Sequence, residues 1–123
     1  MNIIGIGTDI ADLTRIEYAL ARGGNDFIEL VCTPAELVQA AEHRDQRQYF
    51  GTLWAAKEAL AKALGCGIGS ACHFSDVEIY GIPERIKLSG AALETLTALG
   101  GKKVHLALAA EKHYATATVI ITA

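Results

Sequence analysis

Apolar residues cluster or alternate with polar ones in five segments of the chain, which predicts five β-strands because successive strand side chains point to opposite faces. The segments are residues 2–10, 74–81, 84–90, 103–110 and 115–122. The second and third flank a tight turn, and the sequence EKHY joins the last two. In the first strand, Asp9 shares a face with Gly5 and Gly7, which leaves room beside its carboxylate.

Apolar residues that recur every three or four positions predict four helices, which cover residues 12–24, 33–42, 46–64 and 91–99. Asp12 is the expected N-cap of the first helix. The second opens with the capping box TPAE, in which Thr33 and Glu36 satisfy each other's backbone amides and Pro34 takes the first helical position. A strand, then helices, then strands interrupted by a helix predict an α+β fold with a largely antiparallel sheet and helices packed on one face.

The long helix carries three charges within the apolar stretch WAAKEALAKALGCGIG, residues 54–69. Its leucine stripe should face a core and consists of Leu53, Leu60 and Leu64. Lys57 lies inside that stripe, so it must extend to solvent, pair with an acid or hold an anion. Glu58 and Lys62 stack four residues apart on one face, where an ordinary helix pair contributes about 0.2–0.5 kcal/mol.

Composition narrows the class of protein. The 123 residues are 51% hydrophobic and 20% charged, as in one globular domain spanning 1–123 that buries its own core. A net charge of −3 argues against nucleic-acid binding, and no apolar run is long enough to cross a membrane. Three cysteines without CxxC spacing, and no visible secretory signal, predict a reduced, cytoplasmic protein without a zinc site.

Much of the predicted strand surface is apolar on both faces. In so small a domain, we expect another subunit to cover part of that surface, unless all of it lies within one core.

The candidate chemistry involves carboxylates and cations. Asp9, at a strand end, could meet Glu58, and two carboxylates without a nearby His or Cys suit a hard cation such as magnesium. Four basic residues are available to hold phosphates, namely Lys57, Lys62, Arg44 and Arg47. The GxxxxGK[ST] and GxSxG patterns are absent. From the residues alone, a turn or cap role for Asp9 ranks ahead of metal binding.

Three segments together resemble holo-(acyl-carrier-protein) synthase, the small single-domain class of phosphopantetheinyl transferase. They are GIGTDI…RI at 5–16, WAAKEALAKALGCGIG at 54–69 and HYATATVII at 113–121. They occur in the family's order and cover nearly the whole chain, and the KEAxxKAxGxGI element is fairly specific.

The resemblance implies a trimer with active sites between neighbouring subunits. It also implies transfer of the phosphopantetheine arm of coenzyme A to a serine of an acyl carrier protein, with release of adenosine 3',5'-bisphosphate. The carrier protein would serve either fatty acid or polyketide synthesis, and the sequence does not choose between them.

The resemblance further implies roles for individual residues. Asp9 and Glu58 would hold Mg²⁺ against the pyrophosphate, and Lys62 would neutralise charge on the phosphates and leaving group. Lys57 would be a phosphate-binding or structural cation. The proton of the serine would pass to Glu58 or to a metal-bound water.

Other matched positions imply the two substrate-binding surfaces. Coenzyme A would contact Lys57 and Lys62 together with Arg44, Gly65, Gly67, Pro83 and His105, and the two glycines would let backbone amides approach it. Arg15 and Arg22 on the first helix would face the acidic carrier protein, or else form a solvated helix surface.

The chain departs from the family pattern near the nucleotide. Leu53 stands where the family often has an arginine, Cys66 where it has a threonine, and Ile82 where it has a lysine. Three alanines replace polar family residues in a late strand, namely Ala107, Ala109 and Ala110. These losses favour the alternative of a degenerate, non-catalytic relative that binds carrier protein or coenzyme A. A third hypothesis is a structural oligomerisation domain.

Overall fold

The structure is a computed structural model that describes all residues, 1–123. Its helices are α1 (Leu13–Gly23), α2 (Asn25–Val31), α3 (Pro34–Ala40), α4 (Gln46–Ala63) and α5 (Gly90–Ala98). Its strands are β1 (Ile3–Asp12), β2 (Val77–Tyr80), β3 (Arg85–Leu88), β4 (Lys103–Ala110) and β5 (Tyr114–Thr122). One turn of 3₁₀ helix, Phe74–Asp76, precedes β2.

All strand pairings are antiparallel, but the strands form two sheets rather than one. One sheet has the order β1-β5-β4, and β2 and β3 form a separate hairpin. α4 packs on one face of the three-stranded sheet, against β1 and β5. The predicted α+β class, with antiparallel strands and helices on one face, is confirmed.

Local sequence signals explain the helix starts. The Asp12 side chain accepts a hydrogen bond from the Thr14 amide, and Asp45 caps α4 in the same way. The capping box between Thr33 and Glu36 forms as predicted. The leucine stripe of α4 is buried, with Leu53, Leu60 and Leu64 exposed by 2%, 0% and 4%.

The structure also corrects the prediction in two places. The segment after Gly24 forms α2, for which no helix was predicted. Residues 74–76 form the 3₁₀ turn instead of the start of a strand, so β2 begins only at Val77.

The strand that carries Asp9 lies directly against α4. A Cβ atom at Gly7 would overlap the Ala59 carbonyl oxygen, and one at Gly5 would overlap that of Ala63. Glycine is therefore required here for close backbone approach, and Asp9 comes to lie beside the last turns of α4.

The other face of the three-stranded sheet has no helix on it. Ile6 and Ile10 of β1 are exposed by 62% and 61%. Across the sheet, Ile6 pairs with Ile120 and Ile10 with Thr116. A largely apolar sheet face is thus left uncovered in a single chain. None of the helices is long and apolar enough to cross a membrane.

Candidate active site

Asp9 and Lys62 form an ion pair between β1 and α4. Lys62 Nζ donates to Asp9 Oδ1 at 2.8 Å and to the Thr8 carbonyl oxygen at 3.2 Å. The Lys62 side chain is 51% exposed and that of Asp9 is 16% exposed. The hydrogen bond to Asp9 is the main cause of a raised Lys62 pKa, so the ammonium keeps its charge.

Glu58 completes a cluster with these two residues, one helical turn before Lys62. Partial burial raises the pKa of the Glu58 carboxyl, the negative charge of Asp9 raises it further, and Lys62 opposes both. The structure therefore pairs Asp9 with Lys62 directly and brings Glu58 within electrostatic range of both, without a hydrogen bond or ion pair to either. Two like charges opposed by one cation leave an unbalanced negative site at the protein surface.

The donor set of this cluster fits a hard dication. It offers carboxylate oxygens only, which Mg²⁺ prefers, and a dication would offset the repulsion that raises the Glu58 pKa. The chain presents no group of three or more His, Cys, Asp or Glu residues able to hold a metal. A metal here would therefore take its remaining ligands from water or from a bound phosphate.

Lys57 does not reach the surface, which corrects its predicted contact with coenzyme A. Its Nζ donates to Glu36 Oε1 at 2.6 Å, to the Val31 carbonyl oxygen at 2.6 Å and to the Phe74 carbonyl oxygen at 3.1 Å. Both charged side chains are 0% exposed. Of the two roles that the resemblance implied, Lys57 has the structural one, because its three donors are already satisfied within the protein.

The glycine-rich loop after α4 also differs from the prediction. Gly65 and Gly67 have φ angles of +82° and +68°, and nothing lies within 4 Å of a Cβ atom at either position. Their amides are not free to bind a ligand, because Gly65 N–H donates to the Lys62 carbonyl oxygen and Gly67 N–H to that of Ala61. The loop therefore caps the helix and presents a bare, open surface beside Lys62.

A cavity of about 760 Å³ opens between α3, α4, the β2–β3 hairpin and β4. Its wall includes Tyr49, Leu53, Glu78, Ile79 and Ile82. None of Asp9, Glu58 and Lys62 lines it. Within one chain, the cavity and the carboxylate cluster are thus separate sites.

None of the seven predicted coenzyme-binding residues lines this cavity, including the three not yet described. Pro83 is exposed in the hairpin turn next to Ile82, which is itself 98% exposed. His105 is half-buried on β4, and its Nε2 lies 3.0 Å from the Thr122 hydroxyl. Arg44 is exposed and lines a shallow groove beside α1. By contrast, Arg47 is already paired within the chain. Its Nη1 donates to Glu17 Oε2 at 3.1 Å and its Nη2 donates to the Lys112 carbonyl oxygen at 2.8 Å.

The family model that describes the 4'-phosphopantetheinyl transferase superfamily matches residues 5–119. The chain belongs to this superfamily. A holo-[acyl-carrier-protein] synthase of Shewanella amazonensis is 41% identical over 125 residues, which cover 98% of this chain and 99% of the relative. The resemblance predicted from the sequence is confirmed.

Solved structures of the superfamily agree with the fold. A holo-[acyl-carrier-protein] synthase from Neisseria meningitidis superposes with a TM-score of 0.92 at 31% identity, covering 99% of this chain and 100% of that one. A second, from Bacillus anthracis in complex with CoA (3',5'-ADP), gives a TM-score of 0.81 at 31% identity, covering 97% and 96%.

Arg15 and Arg22 both lie exposed on α1 of this superfamily member. Arg22 Nη1 donates to the Tyr18 hydroxyl at 2.6 Å, and its guanidinium lies 5.3 Å from the centre of the Tyr18 ring. Tyr18 is 60% exposed, so this helix presents positive charge beside an aromatic surface.

Sequence reasoning missed the partner of Lys57. Glu36 was assigned only to the capping box, but the residue is 1% exposed and its carboxylate also accepts from the Ile79 amide at 2.8 Å. The available signal was Lys57 itself, since a lysine in a leucine stripe requires a buried acid somewhere in the fold.

Proposed function

We propose that this chain transfers the 4'-phosphopantetheine group from coenzyme A to a serine of an acyl carrier protein. The serine oxygen bonds to the β-phosphorus of coenzyme A, and the bond from that phosphorus to the oxygen bridging to the α-phosphorus breaks. Adenosine 3',5'-bisphosphate leaves with that bridging oxygen, and the serine proton goes to a base. The convergence of Asp9, Glu58 and Lys62 in a chain of this superfamily carries the proposal.

Asp9 and Glu58 are the residues that would hold Mg²⁺. The bound ion would supply charge stabilisation to the pyrophosphate during transfer. Lys62 is exposed enough to exchange Asp9 for a phosphate oxygen and so to neutralise the leaving group. Glu58 would take the serine proton, directly or through a water.

The nucleotide end of coenzyme A would occupy the cavity. Pro83 and Arg44 directly follow the cavity residues Ile82 and His43 in sequence, and His105 would add a donor from β4. Gly65 and Gly67 would let the pantetheine or phosphate portion pass close to the backbone beside Lys62. The relative from Bacillus anthracis that was solved with CoA (3',5'-ADP) supports a nucleotide site in this fold.

A homotrimer would bring the two sites together. The carboxylate cluster and the cavity share no lining residue in one chain, which supports an active site to which a neighbouring copy contributes one of them. The uncovered face around Ile6 and Ile10 offers the apolar surface that such an interface needs. Light scattering at micromolar concentration should give three times the chain mass, and a monomer would contradict a shared site.

Arg15 and Arg22 are proposed to bind the acidic carrier protein. Their exposure on one helix, with Tyr18 between them, suits an acidic helix that needs charge steering and some apolar contact. A net charge of −3 does not oppose this interaction, because local charge steers docking more than the total does.

The decisive experiment is intact-mass measurement of apo carrier protein incubated with the chain, coenzyme A and Mg²⁺. We expect a mass increase of one phosphopantetheine group per carrier serine, and none with Asp9→Ala or with excess chelator. Binding of coenzyme A without any mass increase would instead support the degenerate-relative hypothesis, which the losses at Leu53 and Ile82 favour.

A further inference from the structure

Three residues of the cavity wall are hydrogen-bonded to one short segment, the Thr33–Glu36 turn. The Tyr49 hydroxyl donates to the Glu36 carbonyl oxygen at 2.7 Å, and the Ile79 amide donates to Glu36 Oε2 at 2.8 Å. The Thr33 hydroxyl donates to Glu78 Oε1 at 2.8 Å. Tyr49, Glu78 and Ile79 line the cavity, whereas Thr33 and Glu36 lie behind its wall.

The turn itself is fixed by the buried ion pair. Glu36 Oε1 accepts from Lys57 Nζ at 2.6 Å and from the Thr33 amide at 2.8 Å. The other two Lys57 donors bind the carbonyl oxygens of Val31 and Phe74. No buried side-chain nitrogen or oxygen lacks a partner. Because all these groups are enclosed, the turn cannot exchange its partners for water, and a single arrangement is strongly favoured.

This network is separate from the site of chemistry. Lys57 and Glu58 are adjacent in sequence, but their side chains leave α4 in directions about 100° apart. The hydrogen bonds of the network lead to Tyr49 and β2, and none of them involves Asp9 or Lys62. Loosening the turn should therefore alter the cavity without altering the carboxylate cluster.

We propose that Glu36, locked by Lys57, is a positioning residue that fixes the cavity wall and thereby sets the affinity for the nucleotide end of coenzyme A. The inference rests on the proposed function, which supplies the ligand of the cavity. It goes further by assigning a substrate-affinity role to two charges that touch no substrate.

Two variants test this role, one by removing a single hydrogen bond and the other by removing the buried ion pair. Tyr49→Phe removes only the hydroxyl that binds the Glu36 carbonyl oxygen, and we expect the KM for coenzyme A to rise about three- to tenfold with kcat unchanged. Glu36→Gln combined with Lys57→Met removes both charges together, so that neither is left unpaired in the core. In this double variant we expect a larger rise in KM, again without loss of kcat.

Amide hydrogen exchange gives a readout that does not depend on activity. The Ile79 amide should exchange faster in the double variant, where a neutral amide oxygen replaces its charged acceptor, and keep its protection in Tyr49→Phe, where the carboxylate remains. If the double variant does not fold, Thr33→Val decides the question through its KM, because Thr33 lies behind the wall and its hydroxyl binds both Glu78 and the Glu36 amide.

Thr95→Val is the matched control. Its hydroxyl lies 2.8 and 2.9 Å from the Ala71 and Ala91 carbonyl oxygens, so its one proton binds either of them, and it lies outside the cavity wall. We expect this control to lower the unfolding midpoint and leave the KM for coenzyme A unchanged.

The possible outcomes separate this inference from the proposed function. If the wild type transfers phosphopantetheine but folded variants keep the wild-type KM for coenzyme A, the positioning role is wrong and the proposed function stands. A fall in kcat with KM unchanged would also overturn it. A wild type that neither binds coenzyme A nor modifies carrier protein would overturn both.

Discussion

Two lysine–carboxylate pairs leave the same helix five residues apart, and their surroundings differ completely. Lys57 meets Glu36 at 2.6 Å with neither side chain exposed, whereas Lys62 meets Asp9 at 2.8 Å with half of the lysine in solvent. The first pair has every donor used within the protein. The second has a neighbouring carboxylate, Glu58, whose pKa is raised by partial burial and by Asp9.

The comparison shows how one helix can serve structure and chemistry with the same residue types. A buried pair gains little net stability from forming, but removal of one partner is costly because the other charge stays in the core. An exposed pair holds its partners loosely and can exchange them for a ligand. Burial, more than charge or spacing, therefore separates the structural lysine from the lysine available to substrate.

The largest expected effect is on stability at the buried pair. Lys57→Met leaves the Glu36 carboxylate without its cation, and we expect the free energy of unfolding to fall by about 3–5 kcal/mol. Lys62→Met should change it by only about 0–1 kcal/mol. Urea denaturation of both variants measures the difference. Equal losses at the two positions would mean that burial does not distinguish the pairs.

The next effect is on turnover at the exposed pair. Lys62→Met removes the cation that would neutralise the leaving phosphate, and we expect kcat to fall about 10²–10³-fold with the fold intact. Asp9→Ala and Glu58→Ala should abolish transfer, because each removes a carboxylate that would hold the metal. Steady-state kinetics with circular dichroism as the folding control is the measurement, and wild-type turnover by any of these variants would contradict the assignment.

A smaller effect is expected at the helix proposed to dock the carrier protein. Reversing charge with Arg15→Glu and Arg22→Glu should raise the KM for carrier protein about tenfold, as attraction becomes repulsion. The KM for coenzyme A should stay constant. The matched control is Lys102→Glu with Lys103→Glu, which reverses the same number of charges on two exposed residues at the start of β4. If the control raises the KM as much, net charge rather than this helix is responsible.

The smallest effect concerns Glu58 in the absence of metal. Its carboxyl has a raised pKa in the fold, so the ionised form destabilises the native state once the pH exceeds that pKa. Glu58→Gln lacks this penalty, and its melting temperature should exceed that of the wild type by about 2 °C near pH 7. The advantage should shrink as the pH falls through the raised pKa towards the ordinary pKa of a glutamate carboxyl. The measurement is the melting temperature of both proteins across pH, with chelator present. A wild type that melts above Glu58→Gln near pH 7 would contradict the prediction.

Sequence reasoning predicted those parts of the fold whose signals are local. α4 and the strands β1, β4 and β5 follow from hydrophobic periodicity, and the starts of α1 and α3 from capping residues. α2 was missed because it follows Gly24 directly and has no side-chain cap. The 3₁₀ turn at Phe74–Asp76 was assigned to a strand because so short a run cannot be told apart by periodicity.

In the candidate site too, the sequence predicts what a local motif encodes and not what depends on distant parts of the chain. The motif identified Asp9, Glu58 and Lys62, and the fold brings them together. The pairing of Lys57 with Glu36 spans 21 residues, and local spacing does not indicate which acid a buried lysine will meet. The cavity wall could not be predicted either, since α3, α4, the hairpin and β4 form it jointly.

The close contact between β1 and α4 bears on how variation in this protein should be interpreted. At Gly7 the backbone of the strand contacts the backbone carbonyl of Ala59. A larger residue at a core leucine position can be offset by a smaller neighbouring side chain, but here the neighbour is backbone and cannot become smaller. Even an alanine would push the helix that carries Glu58 and Lys62 away from the strand that carries Asp9. Natural selection on activity should therefore act on position 7 as strongly as on the charged residues, although it contributes no reactive group.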